Sequence, residues 1–270
     1  MFGFYDSYFL FFGLRITYYG FLIALGMAIG IFIACKIAKH RGLKSDDILI
    51  LAMYVLPMAV LGARTYFVAF SGQHFTFAEF FQIWKGGMAI YGGVIGGALG
   101  AALYCLIHKK NFLKVADIAV APLLFGQGIG RIGCYFSSCC YGIEVTNPAA
   151  QWFPLSTQID GVWHLSTFFY ESFLDFVLCG VFIFLICKKV KTPGLMMSFY
   201  FMGYGTIRCI IETFRGDSLM LGIFKVSQLL SVLLVVAGAA ILVAIMVIKK
   251  KKEANTQEEI VIERDDADKE

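Results

Sequence analysis

Residues 115–136 read VADIAVAPLLFGQGIGRIGCYF, and this stretch decides the class of protein. Its length matches the roughly 20 residues that a helix needs to cross the hydrocarbon core of a bilayer. Asp117 and Arg131 are its charged residues. A charged side chain inside a membrane span costs about 3 kcal/mol on insertion scales, so Arg131 is a functional hypothesis by default.

Similar apolar stretches recur along the chain, at about 16–36, 47–70, 87–107, 167–187, 194–214 and 226–248. Hydrophobic residues make up 59% of the 270 residues and charged residues 16%, a balance too apolar for a soluble domain. The sequence therefore predicts an all-α polytopic membrane protein with seven transmembrane helices in residues 1–248. The apolar and aromatic first 14 residues are expected to form an interfacial segment before the first span.

The distribution of lysine and arginine predicts the orientation, because short cytoplasmic loops are enriched in both. Three loops, 71–86, 137–166 and 215–225, carry little positive charge and are predicted to face outward. The N-terminus should then lie outside and the C-terminus in the cytoplasm. Basic residues follow every second span, namely Lys36, Lys39, Arg41, Lys44, Lys109, Lys110, Lys114, Lys188, Lys189, Lys191 and the four lysines of 249–252.

The tail at 249–270 is a basic patch followed by an acidic stretch. It is predicted to be a disordered cytoplasmic end whose lysines meet anionic headgroups of the membrane lipids. The topological lysines account for the net charge of +4, so this charge does not indicate a nucleic acid partner.

Charged residues inside the spans are predicted to gather toward the outer side, as judged from a helical rise of about 1.5 Å per residue. Asp117 is the exception and is expected to be a helix-start carboxylate. In the sixth span, Arg208, Glu212 and Arg215 are spaced i, i+4 and i+7 and so share one face. The remaining members of the outer group are Arg64, Arg131, Glu171 and Asp175.

These charges allow two interpretations. The arginines either pair with Glu171, Asp175 and Glu212 in a network that only holds the bundle together, or they bind an anionic ligand. A planar guanidinium donates a bidentate fork to phosphate oxygens. A phospholipid headgroup is therefore the expected ligand.

Glycines are dense in the third and fourth spans. Gly92, Gly96 and Gly100 are expected to let helices approach closely in lipid. Gly130 and Gly133 flank Arg131 closely, where they would expose backbone donors to a ligand or permit a break in the helix.

The segment GRIGCYF at 130–136, followed by Tyr141 and Gly142, resembles the signature of the bacterial prolipoprotein diacylglyceryl transferase family. The resemblance covers nearly the whole chain up to the seventh span. Further matching motifs follow in family order, namely Tyr19-Gly20, Gly62-Ala63-Arg64, Gly86-Gly87, Gly92-Gly93, Asp117, Tyr170-Glu171, and Arg208 through Glu212 to Arg215.

This resemblance implies a seven-span enzyme of the bacterial cytoplasmic membrane. It would move the diacylglyceryl group of phosphatidylglycerol to the lipobox cysteine thiol of a prolipoprotein signal peptide, forming a thioether and releasing glycerol phosphate in the first step of lipoprotein maturation. Neither a cofactor nor a metal is expected. The implied catalytic residues are Arg131, Arg208, Tyr91 and Glu212, and the implied substrate-binding residues are Arg131, Arg208, Arg64, Arg215, Tyr19, Glu171, Gly130 and Gly133.

The chain departs from the family pattern at three positions. Many members carry His where this chain has Tyr91, and Asn and Glu where it has Cys134 and Cys139. The proton acceptor is therefore open, with His74 and His164 of the outer loops as alternatives. Cys134, Cys139 and Cys140 cluster at the outer end of the fourth span, where they are expected to be structural or to form a disulfide. A metal site is not expected, because no histidine stands beside them at ligand spacing. A cysteine that carries the lipid as a covalent intermediate is the remaining alternative.

Three other functions compete with this interpretation. A divergent transferase would use a different acceptor, and a non-catalytic protein would bind or flip anionic lipids with the same arginines. An ion-coupled transporter would show polar residues across the midplane and similar sequence halves, neither of which is seen in the sequence.

Overall fold

The computed structural model describes residues 8–11, 14–72, 75–82, 86–188, 192–216, 220–221 and 224–267. These residues are mostly helical. The helices are α1 (Tyr18–Ala38), α2 (Ser45–Phe70), the short α3 (Phe77–Phe80), α4 (Ile90–Ile107), α5 (Phe112–Phe136), α6 (Thr167–Cys187), α7 (Leu195–Thr213) and α8 (Val226–Ala267). Antiparallel hairpins pair β1 (Tyr8–Phe11) with β2 (Leu14–Thr17), β3 (Ser156–Ile159) with β4 (Val162–Leu165), and β5 (Met220–Leu221) with β6 (Phe224–Lys225).

Six helical segments of the described chain are long and apolar enough to cross a membrane. The chain is thus a mostly helical protein with six candidate membrane spans. α7 has 19 residues but is not among the six, since Arg208 and Glu212 lower its apolar character. Seven spans therefore stays a prediction. The six segments are Tyr18–Arg41, Ser45–Phe70, Ile90–Ile107, Phe112–Phe136, Thr167–Cys187 and Val226–Lys251.

Two compact units make up the chain. The first consists of Met1–Gly20, Gln127–Leu178 and Thr192–Glu270, and the second of Phe21–Gly126 and Cys179–Lys191.

Glycines allow close helix packing within each unit. In the second unit, a Cβ at Gly100 of α4 would lie 2.7 Å from the carbonyl oxygen of Tyr54 in α2, and a Cβ at Gly92 or Gly96 would lie even closer to backbone oxygens of α2. In the first unit, a Cβ at Gly238 of α8 would lie 2.7 Å from the Ser198 carbonyl oxygen in α7. The packing role predicted for Gly92, Gly96 and Gly100 is confirmed.

Asp117 has a different role from the one that the sequence predicted. α5 begins at Phe112, so Asp117 lies beyond its first turn, and the helix-start interpretation is wrong. Asp117 forms an ion pair of 3.3 Å with Arg41, and both side chains are almost fully buried. Arg41, taken from the sequence as a topological charge, instead neutralises this buried carboxylate.

Both ends of the described chain have regular secondary structure. The tail predicted to be disordered continues α8 as a helix to Ala267. Its Lys, Glu, Gln and Ala residues are good helix formers, and extending an existing helix needs no new nucleation. At the other end, the described part of the N-terminal segment forms the hairpin of β1 and β2, with Tyr8 opposite Thr17.

Candidate active site

The carboxylate of Glu171 joins two arginines from different helices of the first unit. Its Oε1 lies 2.9 Å from Nη2 of Arg131 in α5, and its Oε2 lies 2.9 Å from Nη1 of Arg208 in α7. Glu171 stands in the second turn of α6 and is 1% exposed. One buried carboxylate therefore holds both guanidinium groups in a fixed relation.

Glu212 extends this network along α7. Its Oε2 lies 2.9 Å from Nη2 of Arg208 and 3.5 Å from Nη1 of Arg215. The shared helix face predicted for Arg208 and Glu212 is thus confirmed, whereas Arg215 lies beyond the end of α7 at Thr213 and pairs with Glu212 from there.

This arginine network, defined as Arg131, Glu171, Arg208, Glu212 and Arg215, contains three guanidinium groups and two carboxylates. It carries one more positive than negative charge. The carboxylates are 1% exposed, whereas the arginine side chains are 10–18% exposed. The positive groups therefore retain the access to a ligand that the carboxylates have lost, and such a site suits an anion with several oxygens.

Asp175 does not join the arginine network. It lies one turn after Glu171 on α6 and is fully buried, and its carboxylate oxygens accept no hydrogen bond from the described residues. The ion pairing that the sequence allowed for Asp175 is not among those of the described chain.

Lys225 supports the end of α7, a role that sequence reasoning missed. Its Nζ donates hydrogen bonds to the carbonyl oxygens of Glu212 at 2.7 Å and Arg215 at 3.0 Å. Helix C-terminal carbonyls attract cations, both as acceptors and through the helix dipole. The Ser227 hydroxyl adds a contact of 3.3 Å to Nη2 of Arg208. The sequence signal for the role of Lys225 is a lysine that follows shortly after a charged helix end.

Two glycines beside Arg131 differ in their surroundings. A Cβ at Gly133 would lie 2.7 Å from Cδ2 of Tyr19, so this glycine makes room for the tyrosine ring. A Cβ at Gly130 would meet none of the described atoms within 4 Å. Gly133 thus serves packing, and Gly130 leaves space beside α5.

The segment at 141–143, which includes the Tyr141-Gly142 pair, connects the loop after α5 to β4 and to the end of α7. The Gly142 N–H donates to the Leu165 carbonyl at 2.8 Å, and the Ile143 N–H donates to the Phe214 carbonyl at 2.9 Å. A Cβ at Gly142 would lie 2.7 Å from the Cβ of Leu165. Only glycine fits this crossing of chains.

Arg64 belongs to the second unit and is held by backbone carbonyls. Nε donates to Phe80 at 3.0 Å, Nη1 to Gly86 at 2.7 Å and Gly87 at 2.9 Å, and Nη2 to Glu79 at 2.6 Å. Both glycines have left-handed backbones, which aim successive carbonyls at one nitrogen. The side chain is 4% exposed and binds the segment after α2, which agrees with a supporting role.

The remaining candidates lie elsewhere or serve other contacts. Tyr91 belongs to the second unit, in the first turn of α4, with its ring centroid 6.2 Å from that of Tyr66. Nδ1 of His164 lies 3.2 Å from the Gly142 carbonyl oxygen, and its ring packs on Tyr141. His74 lies outside the described residues.

A helix cap at the end of α5 brings three cysteines together, one in the last turn of the helix and two after it. The Cys139 N–H donates to the Cys134 carbonyl at 3.1 Å, and the Ser138 N–H donates to the Tyr135 carbonyl at 3.3 Å. Ser138 is left-handed with φ of 47°. This is the Schellman pattern, which places the residue after the left-handed position beside the last turn of the helix. The sulfur atoms of Cys134, Cys139 and Cys140 all lie within 4.8 Å of one another, a group that could hold a metal ion.

Cys140 also contacts the arginine network. Its Sγ accepts a hydrogen bond of 3.2 Å from Nη1 of Arg131, and its carbonyl accepts one of 2.7 Å from the Thr167 hydroxyl. Hydrogen bonds from Cys134 and Cys139 lower the pKa of the Cys140 thiol, and the charge of Arg131 adds to this effect. All eight cysteines stand as thiols, so the predicted disulfide is not formed.

Comparison with known proteins gives a consistent result. The family model for prolipoprotein diacylglyceryl transferase matches residues 7–244. The phosphatidylglycerol–prolipoprotein diacylglyceryl transferase of Finegoldia magna is 36% identical over 226 residues, which cover 83% of this chain and 89% of that protein. The protein of the same name from Clostridioides difficile strain 630 is 38% identical over 226 residues, 82% of this chain and 88% of its own length. The chain belongs to the prolipoprotein diacylglyceryl transferase family.

Proposed function

We propose that this chain transfers the diacylglyceryl group of phosphatidylglycerol to the lipobox cysteine thiol of prolipoproteins. The sulfur forms a thioether with the carbon of the diacylglyceryl group that bears the phosphate. The bond from that carbon to the phosphate oxygen breaks, and glycerol phosphate leaves. The thiol proton is released to water, and the leaving glycerol phosphate carries the second negative charge. This would be the first step of lipoprotein maturation.

The observation that carries the proposal is the excess positive charge of the arginine network. Charge grows on the phosphate oxygen as the bond from carbon breaks, and guanidinium groups held in place beforehand stabilise that charge without reorganising. Arg131 and Arg208 are the proposed phosphate ligands. Glu171 and Glu212 orient them through the ion pairs of 2.9 Å.

The other candidates receive supporting roles in this proposal. Arg215 adds positive charge, and Tyr19 and Gly130 border the lipid substrate beside α5. Gly133 acts through the space that it gives Tyr19. Arg64 acts through the segment that it binds, and Tyr91 is a candidate for contact with the acceptor.

We place the enzyme in the bacterial cytoplasmic membrane with seven spans, α7 included. The N-terminus would face outward and the C-terminus the cytoplasm. The positively charged loops support this orientation, and it directs the end of α5 toward the side where lipoprotein precursors emerge.

The test measures transfer by the purified full-length protein in lipid vesicles. The vesicles contain phosphatidylglycerol labelled in its headgroup glycerol, and a synthetic lipobox peptide is the acceptor. We expect release of labelled glycerol phosphate and a peptide heavier by one diacylglyceryl group. The same peptide with serine in place of cysteine should receive nothing, because it lacks the thiol. Lipid binding without release would indicate a lipid-binding or flipping protein instead.

A cellular test addresses the acceptor. A strain depleted of its own transferase should grow when it expresses this chain, and an Arg208→Gln copy should fail although it is present at the same level. Failure of the well-expressed original chain, combined with activity toward another thiol in vesicles, would point to a different acceptor.

A further inference from the structure

The cysteine cluster, defined as Cys134, Cys139 and Cys140, has the arrangement of a metal site. Cys134 is buried, and Cys139 and Cys140 are partly exposed. The three sulfur atoms lie within 4.8 Å of one another. Because Zn–S bonds are about 2.3 Å long, sulfurs around a tetrahedral ion lie about 3.8 Å apart, so a pair at the 4.8 Å limit would have to approach by about 1 Å.

We propose that Cys134, Cys139 and Cys140 bind one Zn²⁺ ion through their thiolates, beside Arg131, with a fourth position open to an exogenous ligand. This goes beyond the transferase function and departs from the expectation that no metal is used. That expectation came from the absence of a histidine at ligand spacing, but three thiolates suffice for an ion whose fourth ligand comes from outside.

The chemistry of the donors favours a soft divalent ion. Thiolates select zinc and Cu(I) among the common metals, whereas magnesium and calcium require oxygen ligands. Zinc has no redox chemistry and binds thiolates in tetrahedral geometry, so three cysteines can supply three of its four ligands. A zinc ion is therefore the ligand to which we commit.

The electrostatics of the surroundings also favour this ion. Three thiolates and one Zn²⁺ carry a net charge of −1, and the neighbouring guanidinium of Arg131, which also pairs with Glu171, lowers the electrostatic cost of placing that charge here. Nη1 of Arg131 already donates to the Cys140 sulfur at 3.2 Å. Groups that donate to metal ligands in this way fix the ligand and typically contribute about 10- to 100-fold in affinity.

The backbone holds two ligands in place before any ion binds. The Schellman cap fixes Cys139 beside Cys134, with N–H to carbonyl distance of 3.1 Å, and the Thr167 hydroxyl holds the Cys140 carbonyl at 2.7 Å. The site thus needs little ordering on binding, which favours affinity.

The experiment measures zinc in the full-length protein purified in detergent without chelator and under reducing conditions, by elemental mass spectrometry against protein concentration. We expect about one zinc per chain. Cobalt titration of the chelator-treated protein should give thiolate-to-cobalt charge-transfer absorption that saturates at one equivalent, and zinc should abolish it by displacing the cobalt.

Variants locate the ion. Cys139→Ser and Cys140→Ser should each lose most of the zinc and the cobalt absorption, and their elution as folded monodisperse protein is the check on structure. Cys209→Ser in α7, a partly buried thiol outside the cluster, is the matched control and should keep both signals. Alkylation of the original chain adds a further readout, because zinc should protect three thiols from a maleimide reagent.

Three results would overturn the proposal. They are zinc well below one equivalent in the original chain, equal zinc in the cluster variants and the Cys209→Ser control, and a disulfide within the cluster in protein isolated without reductant. None of these measurements depends on transfer, so the metal site and the transferase function fail or stand separately.

Discussion

At the scale of single residues, each oxygen of Glu171 holds a different arginine. Replacing Glu171 by Gln keeps the shape but removes the charge that aligns Arg131 with Arg208. We expect transfer from phosphatidylglycerol to a lipobox peptide to fall about 100-fold, the effect of losing one preorganised charge-stabilising contact. The measurement is the initial rate of glycerol phosphate release in vesicles.

Asp175 provides the matched control for that variant. It lies one turn away on the same helix and is equally buried, but none of the ion pairs of the described chain involves it. Asp175→Asn should therefore retain most of the transfer rate. An equal loss of transfer rate in both variants would mean that transfer requires the buried carboxylates of α6 in general. The arginine contacts of Glu171 would then not explain its effect.

The contacts of Arg64 predict a loss of stability instead of a loss of chemistry. A lysine cannot reach four carbonyl oxygens at once, so Arg64→Lys leaves buried acceptors unpaired. We expect the variant to lose about 3 kcal/mol of stability, measured by thermal unfolding in detergent. The folded fraction should keep its KM for phosphatidylglycerol; a raised KM at unchanged stability would instead make Arg64 a direct substrate ligand.

At the scale of elements, Gly133 and Gly130 lie three residues apart on α5 and should respond to alanine in opposite ways. The methyl group at 133 would press on the Tyr19 ring, where overpacking costs about 1–3 kcal/mol. At 130 it meets open space among the described residues, and alanine favours a helix over glycine by about 1 kcal/mol. Thermal unfolding should show Gly133→Ala destabilised and Gly130→Ala unchanged or stabilised.

Transfer kinetics give the second half of this comparison. If the space at Gly130 receives the lipid substrate, Gly130→Ala raises the KM for phosphatidylglycerol in spite of its intact fold. An unchanged KM would remove Gly130 from the proposed substrate site and leave it as a lipid-facing position.

The elements could be predicted well because their length and apolar composition are local properties. The predicted span at 167–187 coincides with α6, and the one at 194–214 differs from α7 by one residue at each end. The ion pairs of the charged residues were harder to predict. Glu171 and Asp175 stand one turn apart on one helix, and only the packing of α5, α6 and α7 decides which of them meets the arginines. The fixed spacing within α7 did predict the shared face of Arg208 and Glu212.

Contacts that depend on backbone conformation could not be predicted from residue types. The left-handed conformation of Ser138 brings Cys139 to Cys134, although serine rarely adopts it. The carbonyl cage of Arg64 likewise requires two consecutive left-handed glycines. Lys225 reaches the end of α7 only because the β5–β6 hairpin returns the chain to that helix.

At the scale of the whole molecule, the sidedness of the termini decides whether α7 crosses the membrane. With six spans both termini would face the same side, and with seven they face opposite sides. Six spans with the N-terminus outside would put the lysines of 249–252 outside as well, against the tendency of basic segments to remain cytoplasmic.

We therefore expect an epitope at the N-terminus to be cleaved by protease added to right-side-out membrane vesicles, and one at the C-terminus to be cleaved only in inverted vesicles. Cleavage of both in the same preparation would exclude the seventh span, and with it the outward position proposed for Glu212 and Arg215.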